Sequence, residues 1–140
     1  MTSLAEFLLR ERDALAREWA DRALARAAPV GELTREELEA GACETMNTLL
    51  LALDPAVSRE KLAPPMSATA REHALSRFSR GFALPDALGE YRVMRAEVLR
   101  RWLASGVPIG PGERDDLVRF NAAVDRLIME MSGHYAADQQ

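Results

Sequence analysis

Apolar residues in this chain recur every three or four positions, in segments cut apart by proline and glycine. That period is helical; a half-buried strand would alternate every second residue. Alanine, leucine, arginine and glutamate dominate, and all four favour helices. Runs of valine, isoleucine and threonine are missing, so strands have little to build on. The fold class that follows is all-α, a bundle of about four to six helices.

The breaks set the elements. Pro29-Val30-Gly31 ends a first helix running from Ser3 to Ala27, with Leu4, Phe7, Leu8, Leu15, Trp19 and Leu24 as its apolar stripe. Thr34 followed by Glu37 is a capping-box pattern that opens the second helix. Leu38, Cys43, Met46, Leu49, Leu50 and Leu53 supply its apolar face, and Asp54-Pro55 ends it. Ala56 to Leu62 reads as a short helix or turn closed by Ala63-Pro64-Pro65. A further helix spans Ser67 to Arg80, with Ser67 as N-cap and Gly81 as its stop. Pro85 suits the first turn of the next, which runs to Ala104 with Leu88, Tyr91, Val98, Leu99 and Trp102 inward. Ser105 to Gly112 is the longest loop.

The last helix spans about residues 112 to 137. In it Leu117, Asn121, Val124, Ile128, Met131 and Tyr135 advance by alternate steps of four and three. This seven-residue repeat is that of a coiled-coil seam, with Asn121 as the polar residue that fixes register. Two readings of it stand side by side. The stripe is the buried face of a bundle helix, or it is a dimer seam. With no glycine stop, the helix reads as continuing toward an output domain in a longer protein.

At 140 residues, 48% hydrophobic and 29% charged, the chain suits one domain over residues 1–140 with an adequate core. A formal net charge of −4 argues against nucleic acid as partner. The arginines of the middle (Arg71, Arg77, Arg80, Arg92, Arg95, Arg100 and Arg101) interleave with Glu72, Asp86, Glu90 and Glu97, which reads as solvated faces with ion pairs. Cys43 is the one cysteine, so no internal disulfide and no cysteine-based metal site can form, and a cytoplasmic location fits. The acidic N-terminus is no signal peptide, and no run approaches the roughly 20 apolar residues of a membrane span.

The chemistry search is short. His73 and His134 are the only histidines, and no zinc-protease, phosphate-loop or nucleophile-elbow motif occurs. No catalytic residue, cofactor or metal ligand is expected. The alternatives are a haem or small-ligand sensor, since a helical histidine can ligate haem iron, and a small enzyme with a dispersed site.

The most distinctive stretch is His73 to Trp102. His73 and Arg77 share a helix face; Gly81-Phe82-Ala83-Leu84-Pro85 makes a corner; Tyr91 and Arg95 are neighbours on the next helix, with Glu90 beside them. His73, Arg77, Glu90, Tyr91 and Arg95 are therefore the candidate polar cluster, whose plain reading is a structural ion-pair network.

This pattern resembles the N-terminal domain of RsbRD-type stressosome co-antagonists, found also at the front of bacterial sensor histidine kinases. The resemblance rests on His73, Arg77, Gly81-Phe82-Ala83-Leu84, Glu90-Tyr91, Arg95, Leu99 to Trp102, and the closing Arg119-Phe120-Asn121-Ala122-Ala123-Val124-Asp125. It implies an input domain of bacterial signal transduction. Such a domain is helical and often dimeric, coupled to an output domain or signalling partner and without activity of its own; related stressosome domains are globin-like without haem, which is the alternative to a plain bundle here.

Overall fold

The computed structural model describes residues 3–25 and 33–138. Five helices occur among them: α1 (Leu4–Ala25), α2 (Arg35–Leu53), α3 (Arg59–Phe78), α4 (Leu84–Ala104) and α5 (Pro111–Asp138). No strand occurs among the described residues. The expected first break, Pro29-Val30-Gly31, and the last two residues of the expected first helix lie outside them. No helix among them is long and apolar enough to cross a membrane.

Side-chain hydrogen bonds mark the starts of α1, α2, α3 and α5. The Ser3 hydroxyl accepts from the Glu6 backbone N–H at 3.1 Å. Thr34 caps α2, accepting from Glu37 N–H at 3.1 Å, with the Glu37 carboxylate beside the same hydroxyl. On α5 the Glu113 carboxylate accepts from Gly110 N–H at 2.7 Å. Each contact satisfies a backbone donor that has no partner within its helix. α4 follows Ala83, which offers no side-chain cap, and Pro85 sits in its first turn as expected.

α3 departs from the sequence reading. It is one helix through Pro64 and Pro65, not a short element followed by a break. Its N-cap is Ser58, which accepts from Lys61 N–H at 3.2 Å; Ser67 lies in mid-helix. The two prolines cost α3 the bonds to the carbonyls of Glu60 and Lys61. Both residues are exposed, so water can take those carbonyls.

The helix stop at Gly81 is as expected. Its φ of 80° is a left-handed conformation natural to glycine. Phe82 N–H donates to the Arg77 carbonyl and Gly81 N–H to that of Phe78, both at 3.0 Å, which is the Schellman closure.

All five helices feed one core. α1 packs chiefly on α2, and α3 on α5. Leu8 and Trp19, Met46 and Leu49, Met66, Tyr91 and Trp102, and Phe120 and Leu127 are buried in it. Full burial of such a side chain contributes about 1.5–3 kcal/mol. Ala70 and Ala74 line the buried face of α3 and let its neighbours come close. Five expected apolar positions of α1 to α4 sit further out: Leu24 is exposed, while Cys43, Leu50, Leu88 and Leu99 are half-buried.

Candidate functional site

The site lies where α3 turns into α4. Arg77, on the last turn of α3, donates through Nε to Glu90 Oε2 at 2.8 Å and through Nη2 to Oε1 at 3.0 Å. His73, one turn earlier, sets Nε2 3.1 Å from the same Oε2 and 3.3 Å from the Ala87 carbonyl. Both neighbours are acceptors, so Nε2 carries a proton. All three side chains are buried. A charge is tolerable there only with its partner in place.

The electrostatics of Glu90 follow. Burial pushes its carboxyl up, but hydrogen bonds and charge from His73, then Arg77, outweigh that and hold it below the ordinary range. Aromatic rings enclose the triad. The His73 ring lies 4.7 Å from that of Tyr91 and 6.4 Å from that of Trp19, centroid to centroid. The Arg77 guanidinium sits 5.8 Å from the Phe82 ring centroid. Burial, then the charge of Glu90, raises the Tyr91 phenol well above its ordinary range. Its buried hydroxyl has no hydrogen-bond partner among the described residues.

Four of the five candidate residues therefore come together. Arg95 does not join them. It reaches across to α5, where Nη1 donates to Asp125 Oδ1 at 2.7 Å. Nor is every charge in the middle of the chain solvated, because Arg77–Glu90 is internal. Sequence reasoning missed Trp19, which a contact between distant segments delivers. It also missed the α1–α4 cluster, in which Arg22, Arg100 and Arg101 surround buried Glu97, and Arg101 also meets Glu18.

The corner is tied to α5. Tyr135, buried near the end of that helix, donates from its hydroxyl to the Phe82 carbonyl at 3.3 Å. Its ring meets that of Phe78 edge-on at 5.5 Å. Of the expected seam, Val124, Met131 and Tyr135 are in this chain's own core, whereas Leu117, Asn121 and Ile128 are half-buried. The inward stripe of α5 runs instead through Phe120, Ala123, Val124, Leu127, Met131 and Tyr135.

The model of one family, the RsbT co-antagonist protein RsbRD N-terminal domain, matches residues 13–140. The chain belongs to this family. No curated protein and no solved structure matches it. An RsbRD N-terminal domain is a signal-transduction domain that works with signalling partners. Every residue on which the sequence resemblance rested lies within the matched span. The expected histidine and arginine of the RsbRD pattern are here the two partners of Glu90. His73 Nε2 is taken up by these contacts, so in this packing it is not free to ligate haem iron. His134 lies half-buried on α5, away from the triad's hydrogen bonds. Cys43 is half-buried on α2, and burial, then the charge of Asp13, raises its thiol. Among the described residues no group of three His, Cys, Asp or Glu is arranged to hold a metal ion.

Proposed function

We propose that this domain is the cytoplasmic input module of a bacterial signalling protein, of the stressosome or sensor histidine kinase kind. It acts by a change of packing and has no catalysis of its own. The observation that carries this reading is the continuous path from the buried triad to α5. Arg77 binds Glu90 with its side chain and closes the corner with its carbonyl, and the corner's Phe82 carbonyl receives the Tyr135 hydroxyl. A shift in the triad would move the end of α5, the helix expected to lead to an output domain.

The mate of α5 would be the same helix of a second copy. With half of the expected seam in the core, the outer face is the surface that remains. Val118 and Met129 are 69% and 73% exposed there, with exposed Ala122 and Asp125 between them at steps of four, three and four. The test is analytical ultracentrifugation of the chain and of Val118→Glu/Met129→Glu. A dimer that the double substitution converts to a folded monomer supports the reading. A wild-type chain that stays monomeric at about 100 μM, well above a micromolar Kd, overturns the dimer. For the input role, Tyr135→Phe in the full-length protein should alter output without altering the amount of folded protein.

A further inference from the structure

We propose that the groove between the start of α3 and the first half of α5 docks an acidic amphipathic helix of a partner protein. The surface is separate from the His73–Arg77–Glu90 triad. Its binding test stands independently of the input reading.

The groove holds about 820 Å³. Arg59, Leu62, Ala63 and Met66 of α3 line one wall, at steps of three, one and three. Arg119, Ala122, Ala123 and Arg126 of α5 line the other at the same steps. Each helix therefore presents a single face, two turns long, to the groove. Met66 and Ala123 are buried, while Leu62 and Ala63 are half-buried, so the floor is apolar. An apolar trough between two helices is a shape that receives a third helix by its apolar face.

The charges decide what kind of helix. Arg22, Arg77, Arg80, Arg95 and Arg101 each meet a carboxylate. Arg59, Arg119 and Arg126 have no ion pair among the described residues. The acidic residues at the groove are accounted for locally. Asp54 Oδ1 accepts from Ala56 N–H at 2.9 Å, and Glu60 sits in the first turn of α3, where the helix dipole favours a carboxylate. Three guanidinium groups thus border an apolar floor with their charge unmatched. A helix with leucines on one face and glutamates beside them fits both features, gaining charge-assisted hydrogen bonds to the arginines. A basic helix would be repelled. Spacing separates a helix from a small anion. Arg119 and Arg126 lie seven residues apart, about 10 Å along α5. Carboxylates two turns apart on a docked helix match that span, whereas a small anion reaches both arginines only if their side chains bend toward it.

The experiment is fluorescence anisotropy with a labelled, stapled helical peptide that carries leucines on one face and glutamates on the other. Its control is a twin with lysine in place of each glutamate. The expected result is saturable 1:1 binding of the glutamate peptide with a Kd below about 100 μM, and binding of the twin at least about tenfold weaker. Raising salt from about 0.05 to about 0.5 M should weaken the wild-type complex. Arg119→Glu/Arg126→Glu should weaken it at least about tenfold. Arg71→Glu/Arg92→Glu, the same charge change at exposed arginines outside the groove, should leave the Kd within about twofold. Circular dichroism checks that both variants are folded. No saturable binding, equal binding of the lysine twin, or equal losses in the two variants overturns the proposal. Sodium citrate that displaces the peptide at micromolar concentration would make the groove a small-anion site and overturns it too. So does a dimer of the chain that Arg119→Glu/Arg126→Glu dissolves in sedimentation, which would assign the groove to a second copy. Failure here leaves the input role, tested by Tyr135→Phe, untouched.

Discussion

Glu90 Oε2 lies 2.8 Å from Arg77 Nε and 3.1 Å from His73 Nε2, so one buried oxygen serves two side chains from the preceding helix. Removing either charged partner alone strands the other in the core. Arg77→Ala and Glu90→Gln should therefore each cost about 3–5 kcal/mol in urea unfolding. The apolar pair Arg77→Met/Glu90→Leu should cost less than the sum of the two. Losses below about 1 kcal/mol for both single substitutions would mean that the pair is effectively solvated.

The same contact sets an acid limit. The Glu90 carboxyl is held below its ordinary value of 4.5, so it ionises more readily in the folded chain than in the unfolded one. Its contribution to stability is complete above that value and is lost as pH falls through the lower, folded value. Urea midpoints should hold from neutral pH to about pH 5 and decline below it. Glu90→Gln should have a lower midpoint at neutral pH and a shallower decline. An unchanged decline in that variant would assign the acid sensitivity to other carboxylates.

Much of this was legible in the chain itself, and the failures have physical causes. Helical spacing revealed α1, α2, α4 and α5 because each must bury one stripe. It misplaced the start of α3 because a proline's cost depends on whether the freed carbonyl can meet water, a matter of tertiary exposure. His73, Arg77 and Glu90 could be grouped because a glycine corner folds α3 back on α4. Arg95 could not be separated from them by spacing to Tyr91 alone. Five residues beyond Glu90 it points elsewhere on α4, and its partner Asp125 belongs to a distant helix. The same limit hid Trp19 and shifted the inward face of α5.

Arg95 consequently makes a sharp contrast with Arg77. Its pair with Asp125 is partly exposed, so water already solvates both charges. Arg95→Ala should change stability by about 0–1 kcal/mol, with a further reduction at high salt. A loss near that of Arg77→Ala would place Arg95 within the buried network after all.

Gly41 is a stabilisation site in its own right. It lies in the interior of α2, where glycine costs backbone entropy and gains no packing. Because a Cβ there meets nothing within 4 Å, Gly41→Ala should raise unfolding stability by about 0.5–1 kcal/mol. A loss of stability would mean that α2 packs more tightly at this point than the open space around Gly41 allows.

Cys43 tests whether the α1–α2 contact is as tight as it looks. Its sulfur lies 3.9 Å from Asp13 Oδ1, in a half-buried position between the two helices. Burial first, then the Asp13 charge, raises the thiol above its ordinary value of 9.0. The thiolate is the reactive form, so at neutral pH the thiol should react with Ellman's reagent more slowly than free cysteine does, and the rate should climb only at more alkaline pH. Asp13→Asn removes one of the two leading causes and should move that climb to lower pH while leaving burial intact. If the rate profile is unchanged in Asp13→Asn, burial alone governs the thiol; if wild type matches free cysteine, α1 does not cover α2 there.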